Sequence, residues 1–180
     1  MRRTLVVALL LLGACAVADD PEQAPSESSG LEREIRGFSI TETVEGKRLW
    51  ELHADYAYRI PRHSRVRLEQ IELLFFDDAG QVDSRLTSRK GFLDEETGEM
   101  TALEEVVLVS SGGDTLDTEE LTYLKDQDMI RGPDYVRLAK PDRVLTGYGF
   151  QSKPDLSDYK VERDVRITIH DAGNQNDIEH

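Results

Sequence analysis

The sequence predicts a single all-β domain built from antiparallel hairpin repeats, an open twisted roll of strands. Three observations carry that expectation. Apolar and polar residues alternate at period two over most of the chain, Gly-, Asp- and Ser-rich turns punctuate the alternation at short intervals, and no stretch after residue 36 holds a helical period. A hairpin unit also recurs. It is clearest at Leu103 to Tyr123, where the β-branched run Val106 to Val109 breaks at Ser110, Ser111, Gly112 and Gly113 and resumes through Leu116, Leu121 and Tyr123. Related stretches begin at Leu68, Gly132 and Glu162; aligning Ile71, Val106, Val136 and Val165 gives spacings of 35, 30 and 29 residues (106 − 71, 136 − 106, 165 − 136). A period near 30 that holds two strands and two turns describes stacked hairpins.

The elements follow in order. Phe38 to Val44 alternates, with Phe38 and Ile40 on one face, and Glu45-Gly46 turns the chain into Lys47 to Tyr58, where Trp50 and Leu52 lie opposite Leu49 and Glu51. A basic cluster follows at Arg59, Arg62, His63, Arg65 and Arg67, a solvated strand face or a contact for anionic groups. Leu68 to Phe76 is the most apolar strand: Leu73 and Phe75 face one way, Leu74 and Phe76 the other. The acidic cluster within Gly91 to Met100 lacks the order of a calcium loop and reads as a solvated turn. Strands through Val136 and Leu138, and from Val144 to Phe150, come next, the second with Gly147 and Gly149 on the face of Leu145 and with Tyr148 and Phe150 opposite. Val161 to Ile169 ends the series with Val165, Ile167 and Ile169 inward.

Composition bounds the function. From Asp19 onward the chain carries 20 Lys and Arg against 36 Asp and Glu, a net charge of 20 − 36 = −16. Such a surface repels polyanions and argues against nucleic acid as a partner. The N-terminus has the form of an export signal, with Arg2 and Arg3 ahead of the apolar run Thr4 to Leu12. Two ends to that signal compete. Leu12 to Cys15 (LGAC) has the form of a lipobox, with Cys15 as the lipidated residue, whereas Ala16-Val17-Ala18 before Asp19 fits ordinary cleavage. Cys15 is the one cysteine, so the domain folds without a disulfide. The expected organisation is a signal over residues 1–14, lipidated Cys15 and a disordered tether over 15–36, a β-domain over 37–170 and a polar tail over 171–180. Leu31 to Arg36 leads into the first strand.

Catalytic chemistry has no foothold in these residues. His53, His63, His170 and His180 lack metal-ligand spacing, no serine sits in a nucleophile elbow, and the Gly147-Tyr148-Gly149-Phe150 segment lacks the third glycine of a nucleotide loop. No enzyme, metal or cofactor is expected. An open roll offers two other capacities, an apolar face for a ligand and unpaired strand edges for a partner.

Four segments together resemble the LptC family of lipopolysaccharide-export bridge proteins: GFSITETVEGKRLWELHADYA from Gly37, QIELLFFDDAGQ from Gln70, the long stretch from Ser88 to Ile130, and LTGYGFQ from Leu145. The most specific pieces lie at Gly113 to Tyr123 and Leu145 to Phe150. The resemblance implies a β-jellyroll with an apolar groove that takes lipopolysaccharide acyl chains. It further implies receipt of that lipid from an inner-membrane ABC transporter and delivery to a periplasmic bridge protein of the same fold.

On that resemblance, Phe38, Ile40, Leu52, Leu73, Phe75 and Leu86 would line the groove from the first half of the chain. Leu121, Tyr123, Val136, Leu138, Phe150 and Ile167 would line it from the second. Phe38 and Ile40 on the first strand, and Val165, Ile167 and Ile169 on the last, would be the edges that dock partners. A lipid anchor at Cys15 would replace the transmembrane helix common in the family and hold the domain in the periplasm, at the inner membrane. The alternative is an envelope lipoprotein that scaffolds other proteins without carrying lipid.

Overall fold

Alternation in the sequence becomes alternation of buried and exposed side chains along nine strands. A computed structural model describes residues 33–59 and 64–170. The strands are β1 (Arg33–Val44), β2 (Lys47–Arg59), β3 (Arg65–Phe76), β4 (Val82–Asp94), β5 (Met100–Ser110), β6 (Thr115–Leu124), β7 (Met129–Lys140), β8 (Arg143–Ser152) and β9 (Lys160–Ile169). Each pairs antiparallel with its neighbours in sequence, giving one sheet in the order β1 to β9. This is the all-β, jellyroll-like architecture expected, and its only described helical turn is a 3-10 turn at Lys125–Gln127. Of the expected organisation, the signal, Cys15, the tether up to residue 32 and the tail from residue 171 lie outside the described residues, as do Arg62 and His63. β1 begins at Arg33, so the last residues of the expected tether are already strand.

A line of irregularities crosses the sheet at mid-strand. Pairing shifts between Thr87 and Lys90, Leu103 and Val106, Asp117 and Thr122, Gly132 and Tyr135, and Thr146 and Tyr148. Left-handed φ values fall on the same line, at Gly37, Gln70, Glu104, Glu105, Gly149 and Asp164. From Glu104 the line recurs every 15 residues, through Glu119, Asp134, Gly149 and Asp164 (119 − 104 = 15, and so for each step). A bulge inserts an extra residue, bends its strand and moves later side chains to the other face. Ile71, Val106 and Val165, aligned above as repeat equivalents, each directly follow a left-handed residue at Gln70, Glu105 and Asp164. The 30-residue repeat is therefore two strands of 15, each bent at its middle.

The bends curl the sheet so that its halves face each other. Phe75 on β3 meets Tyr123 on β6 edge to face, ring centroids 5.0 Å apart, although the two strands are not ladder neighbours. Lys125 reaches from the turn after β6 to Glu42 on β1 at 2.8 Å. Trp50, the chain's one tryptophan, is 2 % exposed within this interior. At one end the loop between β8 and β9 inserts Leu156, which is buried at a left-handed φ of 62°. Its backbone turn is held by Ser152 Oγ donating to the Ser157 carbonyl at 2.6 Å.

The bulge at Gly149 corrects one sequence expectation. Phe150 is buried on the same side as Leu145, not opposite it, while Tyr148 stays on the outer face. The second apolar face of β3 also has a simple explanation. Phe76 is covered by the Arg48 guanidinium, 4.1 Å from the ring centroid, so this outward aromatic is shielded by a cation.

Candidate functional site: an aliphatic row across the sheet

Cross-strand register places one aliphatic side chain per strand in an unbroken row. Ile40 pairs with Leu52, Leu52 with Leu73, Leu73 with Leu86 and Leu86 with Leu108. Leu108 then pairs with Leu116, Leu116 with Leu138, Leu138 with Leu145 and Leu145 with Ile167. Directly opposed residues share a face, so all nine point to the interior. At about 4.8 Å per strand the row runs roughly 38 Å from one sheet edge to the other. Its seven leucines are buried, with Leu108, Leu116 and Leu138 fully so, while its end members Ile40 and Ile167 are 37 % and 55 % exposed.

A second inward row lies across the bulge line. Ile35, Ala57, Leu68, Gly91, Ala102 and Leu121 succeed one another by register. Beyond β6 it continues through Gly132, Phe150 and Val161, a Cβ on Gly132 lying 3.3 Å from Leu121 Cδ1. Small residues are interspersed with large ones here, and at Gly91 and Gly132 the space beside the backbone is taken by Ile71 and Leu121. The two rows meet around a cavity lined by Leu52, Leu73 and Leu86 from the first and by Leu68, Ala102 and Leu121 from the second. That cavity measures about 20 Å³, room for one water and no acyl chain, so in this conformation the interior is packed shut.

The residues singled out from the sequence divide accordingly. Leu52, Leu73, Phe75, Leu86, Leu121, Tyr123, Val136, Leu138 and Phe150 are all buried in one interior cluster, with Phe38 half-buried against it. Ile40 and Ile167 face the same interior but sit at its open margins, as do Val165 and Ile169 at 50 % and 70 % exposed. The inward series of β9 is thus an uncovered edge and not part of the core. Sequence reading missed Leu108, Leu116 and Leu145 as row members. Leu108 lies in the VVLV run, where every residue is apolar and none stands out.

Polar groups gather at the margins. At one end an open groove of about 510 Å³ has Phe75, Phe76 and Tyr123 on its walls and the carboxylates of Asp77, Asp83, Asp128 and Asp155 at its rim. Burial pushes the Tyr123 phenol above its ordinary range, and its hydroxyl stays protonated to donate to Asp128 Oδ1 at 3.3 Å. Burial and the neighbouring carboxylates of Asp155, Asp77 and Asp128 raise Asp83 as well. In the basic cluster, Arg59 pairs with Glu95 at 2.8 Å, Arg65 with Asp94 at 3.6 Å, and Arg67 stacks 4.5 Å over Tyr58. These contacts occupy the cluster's described cations within the chain. His53 pairs with Glu51 at 3.1 Å. Among the described residues no group of histidines and carboxylates is placed to hold a metal, and no helix is long and apolar enough to cross a membrane.

An antiparallel roll with an aliphatic interior, its edge strands each paired on one side only among the described residues, defines a class of open-edged β-rolls. Within that class, the family described as lipopolysaccharide-assembly, LptC-related matches residues 5–171, nearly the whole chain. This chain belongs to the LptC family. The family serves lipopolysaccharide transport at the periplasmic side of the Gram-negative envelope. No curated protein matches the chain.

Proposed function

We propose that the aliphatic row is the path along which lipopolysaccharide acyl chains cross this protein. The lipid enters from an inner-membrane ABC transporter at the β1 edge and leaves toward a periplasmic bridge protein of the same fold at the β9 edge. The row's continuity from Ile40 to Ile167 carries this reading, because it gives an acyl chain one uniform aliphatic surface between the two sheet edges, unpaired among the described residues. A partner strand hydrogen-bonded to either edge would cover the exposed isoleucine and extend the row. The packed interior means that passage requires the two halves of the roll to part along their contact. Cys15, lipidated, would hold the domain at the inner membrane, and mass spectrometry of the mature N-terminus separates this from cleavage before Asp19.

Trp50 provides the test, as the single tryptophan and a buried neighbour of the row. Lipopolysaccharide carrying a nitroxide on an acyl chain should quench its fluorescence in proportion to the lipid bound, measured separately by co-sedimentation. Bound lipid without quenching would place the acyl chains elsewhere. The closed interior favours one rival, a roll that scaffolds envelope proteins without admitting lipid. That rival predicts partner binding with no quenching and no lipid retained.

A further inference from the structure

The bulge line leaves a crease on the outer face of the sheet, opposite the face that carries the aliphatic row. Between β6 and β7 the ladder is interrupted from Thr118 to Leu121 on one strand and from Gly132 to Val136 on the other. Thr118 Oγ1 donates to the Tyr135 carbonyl at 3.0 Å, spanning part of this gap. Over the gap lies an open groove of about 740 Å³, within the size range of sites that hold a ligand or a peptide segment. Its apolar wall is the cross-strand pair Tyr135 and Tyr148, edge to face at 5.4 Å and 48 % and 42 % exposed.

Charge decides what fits. Glu105, Asp117, Glu119 and Asp134 line the groove against a single lining cation, Arg137. Arg137 is held by Asp117 at 3.0 Å, and Glu105 by Arg89 at 3.0 Å. Glu119 and Asp134 make no ion pair with any described residue. The chain already shows which groups this chemistry accepts, since the Arg163 guanidinium lies 5.8 Å from the Tyr148 ring centroid. A ring face beside an unpaired carboxylate favours a cation through the ring quadrupole and through Coulomb attraction together. The same carboxylates repel a phosphorylated head group.

We propose that this crease docks a basic segment of a partner protein, with arginine or lysine side chains against Glu119 and Asp134 and apolar side chains against the tyrosine pair. The surface is separate from both strand edges, so a partner held here leaves the row and its ends free.

A short dye-labelled peptide alternating arginine with leucine, titrated into the full chain and followed by fluorescence anisotropy, tests it. The wild-type chain should bind this peptide and not its glutamate-for-arginine counterpart. Tyr148→Ala, and separately the double change Glu119→Gln with Asp134→Asn, should each weaken binding about tenfold. The double change Glu96→Gln with Asp126→Asn removes the same charge outside the groove and should alter binding less than about twofold. All five positions reach solvent, and unchanged melting curves establish that the variants fold. Equal losses from both double changes would reduce the attraction to net charge and overturn the proposal, as would equal binding of both peptides. A photo-crosslinker at Tyr148 that captures lipopolysaccharide and not the peptide would assign the crease to lipid and overturn it too.

Discussion

Ile40 on the first strand and Ile167 on the last are the two ends of one row of side chains, joined through seven buried leucines without a polar interruption. In a closed core the end members would be covered as well. Here they are 37 % and 55 % exposed, because sequential pairing of the nine strands leaves β1 and β9 each with one edge unpaired among the described residues. An apolar row that reaches an open strand edge at both ends is suited to continuation in a neighbouring molecule.

Truncation to alanine should therefore have unequal consequences along the row. Leu116→Ala, at a fully buried position, should cost about 2–5 kcal/mol in urea unfolding. Ile167→Ala, at the margin, should cost less than about 1 kcal/mol, since most of its surface already faces water. Ile167→Asp should likewise leave the isolated domain folded while abolishing co-purification of a strand-adding partner.

Gly91 is fixed by contact rather than by turn geometry. A Cβ there would stand 2.3 Å from the Thr101 carbonyl oxygen and 2.7 Å from Ile71 Cδ1. Backbone cannot yield as a side chain can, so Gly91→Ala should destabilise by about 1–3 kcal/mol. A glycine open to solvent such as Gly112, whose added Cβ meets only Ser110 Oγ at 3.7 Å, should tolerate alanine; paired thermal melts check the contrast.

Two carboxylates should push stability in opposite directions with pH. Asp94 accepts the backbone N–H groups of Thr97 and Glu96 at 3.2 and 3.0 Å, which hold its pKa below the ordinary 3.8. A depressed folded value adds stability that is present above pH 3.8 and lost as pH falls through the folded value. Asp94→Asn should flatten that acid arm in urea midpoints taken between about pH 6 and about pH 2.

Asp83 is raised by burial first and by Asp155, Asp77 and Asp128 after it, so its ionised form works against the folded state at neutral pH. Asp83→Asn keeps an acceptor for Ser111 Oγ and should stabilise the domain near pH 7, read as a higher urea midpoint. That gain should fade below the ordinary carboxylate value, where Asp83 is protonated in both states.

Much of this was legible in the residues. Period-two alternation placed the strands, and the alignment of Ile71, Val106, Val136 and Val165 found positions that lie just beyond mid-strand bends. The bends themselves were not legible, because several use Gln70, Glu104, Glu105 and Asp164 in left-handed conformations where sequence reasoning looks for glycine. Missing the one at Gly149 put Phe150 on the wrong face of its strand, since one inserted residue reverses every later side chain. The row was half visible: Leu52, Leu73, Leu86 and Leu138 were picked as inward, but register across nine strands is set by turns and bulges that no single strand encodes. The crease at Tyr135 and Tyr148 left no sequence signal, because it exists only where two ladders part.

The central claim is that acyl chains follow the aliphatic row. A photo-crosslinking residue placed in living cells at Leu52, Leu116 and Leu138, and in parallel at their outward neighbours Glu51, Asp117 and Arg137, tests it most directly. The account predicts lipopolysaccharide adducts at all three row positions and none at the outward ones. Absence of adducts along the row, or equal labelling of both faces, would contradict it.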